Sequence, residues 1–260
     1  MSGSDLQPLF IGVSLKMYFD QVQTLRWCNQ VAAIARQHQA LASGVVELVV
    51  IPSFTALSAA AAVFDGIGVG LGAQDLFWED RGAFTGEVSG PQLTQVGCGY
   101  VEIGHAERRR LFHDDESVLQ LKVVAATRNA LVPILCVGES TRIAAESAAD
   151  ACIEQLASMT APAIQAGAVI QTVVAYEPEW AIGADRPASA DHIRRVCSSI
   201  KEWLDEHPSL GGSRVIYGGS AGPGLVGELG RAVDGVFLGR FAHEPEALVG
   251  VLDEALVLAG

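Results

Sequence analysis

Basic residues are scarce in this chain: 17 lysines and arginines stand against 30 aspartates and glutamates, a formal charge of −13 over 260 residues. A field of that sign repels phosphate polymers and anionic lipid surfaces at long range, so neither nucleic acid nor a membrane is an expected partner. A small anion can bind only where backbone N–H groups, a helix N-terminus or a few cations reverse the field locally. Long apolar runs are missing too, none approaching the ~18 residues of a membrane span. Met1 to Pro8 is polar and lacks the basic-then-apolar pattern of an export signal. The expected location is cytoplasmic. Cysteine is limited to Cys28, Cys98, Cys136, Cys152 and Cys197, with no Cys-x-x-Cys pair and no histidine at zinc-like spacing. These read as reduced, mostly buried thiols, and neither a metal nor a cofactor is expected.

What is abundant is apolar. Half of the residues are hydrophobic and 28 are glycine, which suits one domain, residues 1–260, with a large core. Runs of strand length recur at Leu9–Leu15, Val45–Ile51, Val69–Ala73, Tyr100–Ile103, Val132–Val137, Thr172–Tyr176, Arg214–Tyr217 and Gly235–Leu238. They are continuous rather than alternating, as parallel strands covered on both faces require. Helical periods lie between them, at Val22–Ala42, Ser53–Phe64, Pro91–Val96, Ser117–Ala130, Ala144–Ala166, Ala188–His207, a short piece after Gly224, and Glu246–Leu258. The alternation predicts a closed (β/α)8 barrel. An open doubly wound sheet remains the alternative, because periodicity does not show whether the last strand pairs with the first.

Three reactive side chains fall just past strand ends, where parallel barrels assemble their sites. Glu177 follows Thr172–Tyr176, His105 follows Tyr100–Gly104, and Lys16 follows Leu9–Leu15. Proton removal beside a carbonyl needs a carboxylate base, an electrophile for the developing oxyanion and a cover that excludes water. Each residue also has a plain structural reading. Glu177 could be solvated or ion-paired, and His105 could be structural or exposed, as is expected of His38, His113, His192, His207 and His243. Glu107 could pair with Lys16, orient a neighbour, or sit in a helix's first turn. Lys16 needs an anion, because desolvating a lone ammonium is costly, and a Schiff base is a further possibility. Arg108, Arg109 and Arg110 read as a solvated, carboxylate-paired face. Pro178 to Gly183 reads as a lid in which Trp180 and Ile182 cover a small ligand. The glycine turns Gly218-Gly219-Ser220 and Gly239-Arg240 follow the last two strands, where barrels commonly grip phosphate.

Leu15-Lys16-Met17, Gly82 to Glu87, Gly104 to Arg109, Cys136 to Glu139, Ala175 to Pro178 with Trp180 to Gly183, and Tyr217 to Ser220 together resemble the triosephosphate isomerase family, in order along nearly the whole chain. That family is a much-used example of pKa tuning and loop closure, and the roles that follow are those the resemblance implies. They make Glu177 the base, His105 the neutral electrophile and Lys16 the cation. Main-chain N–H groups of Gly183, Ser220, Gly239 and Arg240 would hold phosphate, with Ser14, Glu107, Gly218 and Gly219 beside the substrate. The resemblance also implies a homodimer, with Thr85 entering the neighbouring subunit near the lysine and histidine, and a buried, structural Cys136. Departures gather around the substrate. The family's asparagine before the lysine is Ser14, the serine after the histidine is Ala106, the lid's valine is Glu179, its Gly-Lys is Asp185-Arg186, and the second glycine of the last turn is Arg240. This pattern looks like the branch of the family that isomerises erythrulose phosphates in tetritol catabolism. An ordinary triosephosphate isomerase is the alternative, with a Schiff-base aldolase or a non-catalytic sugar-phosphate sensor as readings from other classes.

Overall fold

A computed structural model describes residues 7–184 and 187–259. Its strands are β1 (Leu9–Ser14), β2 (Val46–Ile51), β3 (Gly70–Ala73), β4 (Tyr100–Ile103), β5 (Val132–Val137), β6 (Val173–Tyr176), β7 (Arg214–Tyr217) and β8 (Gly235–Leu238). All pair in parallel, each with its sequence neighbour. The ring closes through β1 and β8, where Phe10 pairs with Gly235 and Val13 with Leu238. Closure rules out the open sheet and gathers all eight C-terminal strand ends at one mouth.

The helices are α1 (Gln21–Gln37), α2 (Gln39–Ala42), α3 (Leu57–Phe64), α4 (Gly90–Gln95), α5 (Ala106–Phe112), α6 (Glu116–Arg128), α7 (Ala145–Gln165), α8 (Ala190–Asp205), α9 (Leu225–Leu229) and α10 (Pro245–Ala259). α1 starts at a capping box: the Asp20 carboxylate accepts from Gln23 N–H at 2.7 Å, and the Gln23 amide oxygen accepts from Asp20 N–H at 3.0 Å.

Two helical expectations need correction, and one helix was not expected as a period. Val22–Ala42 is two helices, because His38 adopts an extended backbone and its Nδ1 accepts from Ala40 N–H to cap a new turn. Ser53–Phe64 begins as a 3-10 turn, Phe54–Ala56, before α3. The additional helix is α5, which starts at the His105 cap with Glu107 in its first turn and buries none of its own residues.

Alternation along the strands builds two apolar layers. Leu9, Ile11 and Val13 face helix residues such as Trp27 and Val31. Phe10, Ile51, Ile134, Val173, Ile216 and Phe237 fill the barrel itself. Burying one such side chain contributes roughly 1.5–3 kcal/mol. The opposite, N-terminal mouth is plugged by Arg214, which donates to Glu47 Oε2 at 2.6 Å and lies 4.7 Å over the Phe10 ring. The C-terminal mouth is left as the open one.

Candidate active site

Lys16 lies two residues past β1 with a left-handed backbone (φ 48°), which a side-chain-bearing residue adopts only when its surroundings hold it there. The Gln74 amide grips its carbonyl at 2.9 Å. The ammonium donates to Glu107 Oε1 at 2.7 Å, supplying the anion that its position demanded. His105 is the N-cap of α5, and its Nδ1 accepts the Glu107 N–H at 3.1 Å. A neutral imidazole with Nδ1 as acceptor carries its proton on Nε2. That nitrogen lies 3.6 Å from Glu177 Oε2.

Glu177 leaves β6 with its N–H bonded to Val137 O at 2.8 Å. Its carboxylate is buried, and Oε2 has no hydrogen-bond partner. Two glycines make this placement possible. A Cβ on Gly218 would stand 2.6 Å from Glu177 Oε1, and a Cβ on Gly138 would overlap the Glu177 carbonyl. A free buried carboxylate oxygen beside an imidazole N–H is what a carbon base requires before substrate arrives.

The charges are tuned by burial. Glu177 is pushed up to about 8, chiefly by desolvation and then by the nearby Glu102 carboxylate. Desolvation likewise raises Glu102 to about 7, although the Ser14 hydroxyl opposes the shift. His105 is lowered to about 4 by desolvation and the Lys16 charge, so it is neutral at physiological pH. Burial alone would lower Lys16, but the bond and charge of Glu107 outweigh it and raise the ammonium's pKa. Burial works against ionised Glu107, yet Lys16 holds it below its usual value.

These groups line a cavity of about 650 Å³ at the C-terminal mouth. Ser14, Lys16, His105, Glu107, Glu177, Gly183, Gly218, Ser220, Gly239 and Arg240 all reach it. Gly219 does not line it and instead packs under the Tyr217 hydroxyl and Pro178. Thr85 is exposed on the loop after β3, outside the cavity. Ile182 lines it, but Trp180 faces away, donating to Glu139 Oε1 at 2.7 Å. Asp185 and Arg186 lie outside the described residues.

The segment after Glu177, which the sequence suggested as a lid, is tied on both sides. Glu139 O accepts from Glu179 N–H at 3.0 Å, Ala181 O accepts from the Ser220 hydroxyl at 2.8 Å, and Gly183 O accepts from Arg240 at 3.4 Å.

Arg108 and Arg109 pair with carboxylates as expected, Arg109 with Glu116 at 3.7 Å, but the three arginines are not one solvated face. Arg108 bridges Asp75 and Asp114, Arg109 donates to Gly104 O, and Arg110 reaches the cavity. His192 is structural as expected, 3.0 Å from the Tyr176 hydroxyl, which also donates to Glu139. Sequence reasoning passed over Glu102, Tyr18, Phe237 and Phe241, all at the cavity wall. Glu102 had a signal: a carboxylate inside an apolar strand must find a partner. Among the described residues, no three His, Cys, Asp or Glu side chains gather as a metal site, and no helix is long and apolar enough to cross a membrane.

A closed parallel barrel with a buried carboxylate, a neutral imidazole and an ammonium at one mouth is equipped for proton transfer beside a carbonyl. The chain belongs to the triosephosphate isomerase family, whose model matches residues 9–255. It is 49% identical over 251 residues to the L-erythrulose-1-phosphate isomerase of Pectobacterium atrosepticum, covering 96% of this chain and 97% of that protein. It is 42% identical over 214 residues to the triosephosphate isomerase of Moorella thermoacetica (80% and 85% covered). For the triosephosphate isomerase of Mycobacterium sp. strain JLS, identity is 39% over 209 residues (77% and 80% covered).

Proposed function

We propose that the protein is a cofactor-independent isomerase converting L-erythrulose 1-phosphate to D-erythrulose 4-phosphate through an enediolate. The observation that carries the chemistry is the unpartnered Glu177 Oε2, buried 3.6 Å from the His105 Nε2. In this reading Glu177 takes the proton from the carbinol carbon next to the ketone. The His105 N–H polarises the carbonyl oxygen and then serves the neighbouring oxygen as the double bond shifts. Lys16 offsets the negative charge of enediolate and phosphate. Glu177 returns the proton to the former carbonyl carbon, so no redox step and no added group is needed. A neutral imidazole suits this role, since its N–H is closer in acidity to an enediol than an imidazolium's would be.

For the phosphate, the reading uses main-chain N–H groups of Gly183, Ser220, Gly239 and Arg240, with the Arg240 guanidinium at the same rim. The left-handed backbone of Ser220 (φ 60°) supports it, because such turns aim N–H groups at an anion. The choice of a four-carbon over a three-carbon ketose rests on the higher identity to the erythrulose phosphate enzyme than to the two triosephosphate isomerases. Both react by the same proton transfer.

A single catalytic domain, a homodimer and a cytoplasmic location complete the reading. Phe84 is exposed beside Thr85 and Met17 is 91% exposed beside Lys16, two apolar side chains suited to contact with a second subunit. Unpaired, buried thiols suit a reducing compartment.

The test is kcat/KM on L-erythrulose 1-phosphate and dihydroxyacetone phosphate, side by side. At least a tenfold preference for the tetrulose is expected, and the opposite preference makes the protein an ordinary triosephosphate isomerase. Sedimentation at micromolar concentration tests the dimer, which a monomer would refute.

A further inference from the structure

One buried polar pair lining the cavity has no part in the proton transfer described above. Ser14 ends β1 and Glu102 is the third residue of β4, and both are buried at the cavity floor. The Ser14 hydroxyl donates to Glu102 Oε2 at 3.0 Å. The donor is therefore spent on the carboxylate, while the serine lone pairs and the other carboxyl oxygen remain to serve a ligand. Phe237 closes the floor beside them, its ring seated over Gly12.

A carboxylate in such a place is costly unless something recovers the lost hydration. Burial lifts its pKa to about 7, so it is poised between accepting and donating a hydrogen bond. A hydroxyl and a carboxyl side by side suit a primary alcohol, whose oxygen both donates and accepts.

We propose that Ser14 and Glu102 form the subsite for the terminal hydroxymethyl group of a four-carbon ketose phosphate, the group that a three-carbon substrate lacks. This inference rests on the substrate reading given above. The alcohol donates to Ser14 Oγ or to Glu102, and the Ser14–Glu102 bond fixes the direction of both. Selectivity then has two sources: room for the extra carbon and oxygen, and a polar pair left unsatisfied when a shorter substrate binds.

The experiment compares wild type, Ser14→Ala, Ser14→Asn and Glu102→Gln on L-erythrulose 1-phosphate, its 4-deoxy analogue and dihydroxyacetone phosphate, with thermal melting to confirm folding. Loss of one such hydrogen bond corresponds to roughly a tenfold or larger change. Wild type is expected to prefer the hydroxymethyl ketose over the 4-deoxy analogue by at least that factor, and Ser14→Ala to erase most of the preference. Ser14→Asn, which fills the space, should lower the tetrulose-to-triose ratio of kcat/KM at least tenfold. If the wild type discriminates but every folded variant keeps the wild-type ratios, the subsite is wrong and the substrate reading stands. If the wild type prefers the triose phosphate, the substrate reading fails and the subsite fails with it. Should Glu102→Gln not fold, the two serine variants decide.

Discussion

Replacing Gly218 by alanine perturbs Glu177 without removing any polar group. An ideal Cβ at this position stands 2.6 Å from Glu177 Oε1, 2.8 Å from its Cγ and 3.1 Å from its Cδ. Carbon and oxygen normally keep about 3.4 Å or more between them, so the carboxylate must move by about 1 Å. Gly218 does not have a left-handed backbone, so alanine is tolerated by the main chain and the effect is confined to the displaced Glu177 carboxylate. A misplacement of that size costs on the order of 100-fold in rate, or about 2.7 kcal/mol of barrier. The assay is kcat and KM on the preferred ketose phosphate, alongside a thermal melt and a far-ultraviolet spectrum. The expected result is a fall in kcat of about 100-fold with the fold retained. Gly227→Ala is the control, because its Cβ meets nothing closer than a Glu254 oxygen at 4.0 Å. A folded Gly218→Ala protein with wild-type turnover would refute the placement of the base.

Other expectations follow from the same geometry. Gly227 lies within α9, so its alanine variant should gain roughly 0.5–1 kcal/mol and melt about 1–4 °C higher; a lower melting temperature contradicts this. Because the free Glu177 carboxyl titrates near 8, kcat/KM should rise with pH toward a plateau above that value, and Glu102→Gln, which removes a neighbouring carboxylate, should move the midpoint lower. Stability should run the other way. The raised pKa values of Glu102 and Glu177 stabilise the fold at low pH, a contribution lost as pH rises through about 7 and 8. His105, lowered to about 4 from 6.5, contributes stability that is lost only as pH falls below 6.5. Between pH 6.5 and 8 the carboxyl effect acts alone, so melting temperature should decline there, and less steeply in Glu177→Gln. Arg240→Ala should raise KM about tenfold as one charged contact to phosphate is lost, with kcat changed far less; an unchanged KM removes Arg240 from the site.

The barrel was legible in the sequence because continuous apolar runs are the signature of parallel strands, and β4, β5, β7 and β8 fall on the expected residues. The strand-end rule then pointed to Lys16, His105 and Glu177 before any geometry was known. Helix α5 was not legible: with none of its own residues buried, it shows no apolar stripe, and its start depends on the His105 cap. The break at His38 was hidden for a similar reason, since Gln-His-Gln carries neither glycine nor proline. The Ser14–Glu102 pair spans 88 residues of sequence, so although a carboxylate inside an apolar strand calls for a partner, nothing local points to Ser14 as that partner. Trp180 shows the limit of composition: an aromatic in a lid was expected to cover the ligand, but Glu139 offers its indole N–H a buried acceptor and turns it away. Gly219 likewise supports the turn from below, while Gly218 beside it makes room for Glu177.

Hydrogen exchange at the reacting carbon tests the central claim most directly. In deuterated water with L-erythrulose 1-phosphate, the wild type should incorporate solvent deuterium into the carbon-bound positions as the carbonyl migrates. Glu177→Gln, folded by its melt, should do so ~100- to 10,000-fold more slowly. Deuterium incorporation at the wild-type rate in that variant would contradict Glu177 as the base.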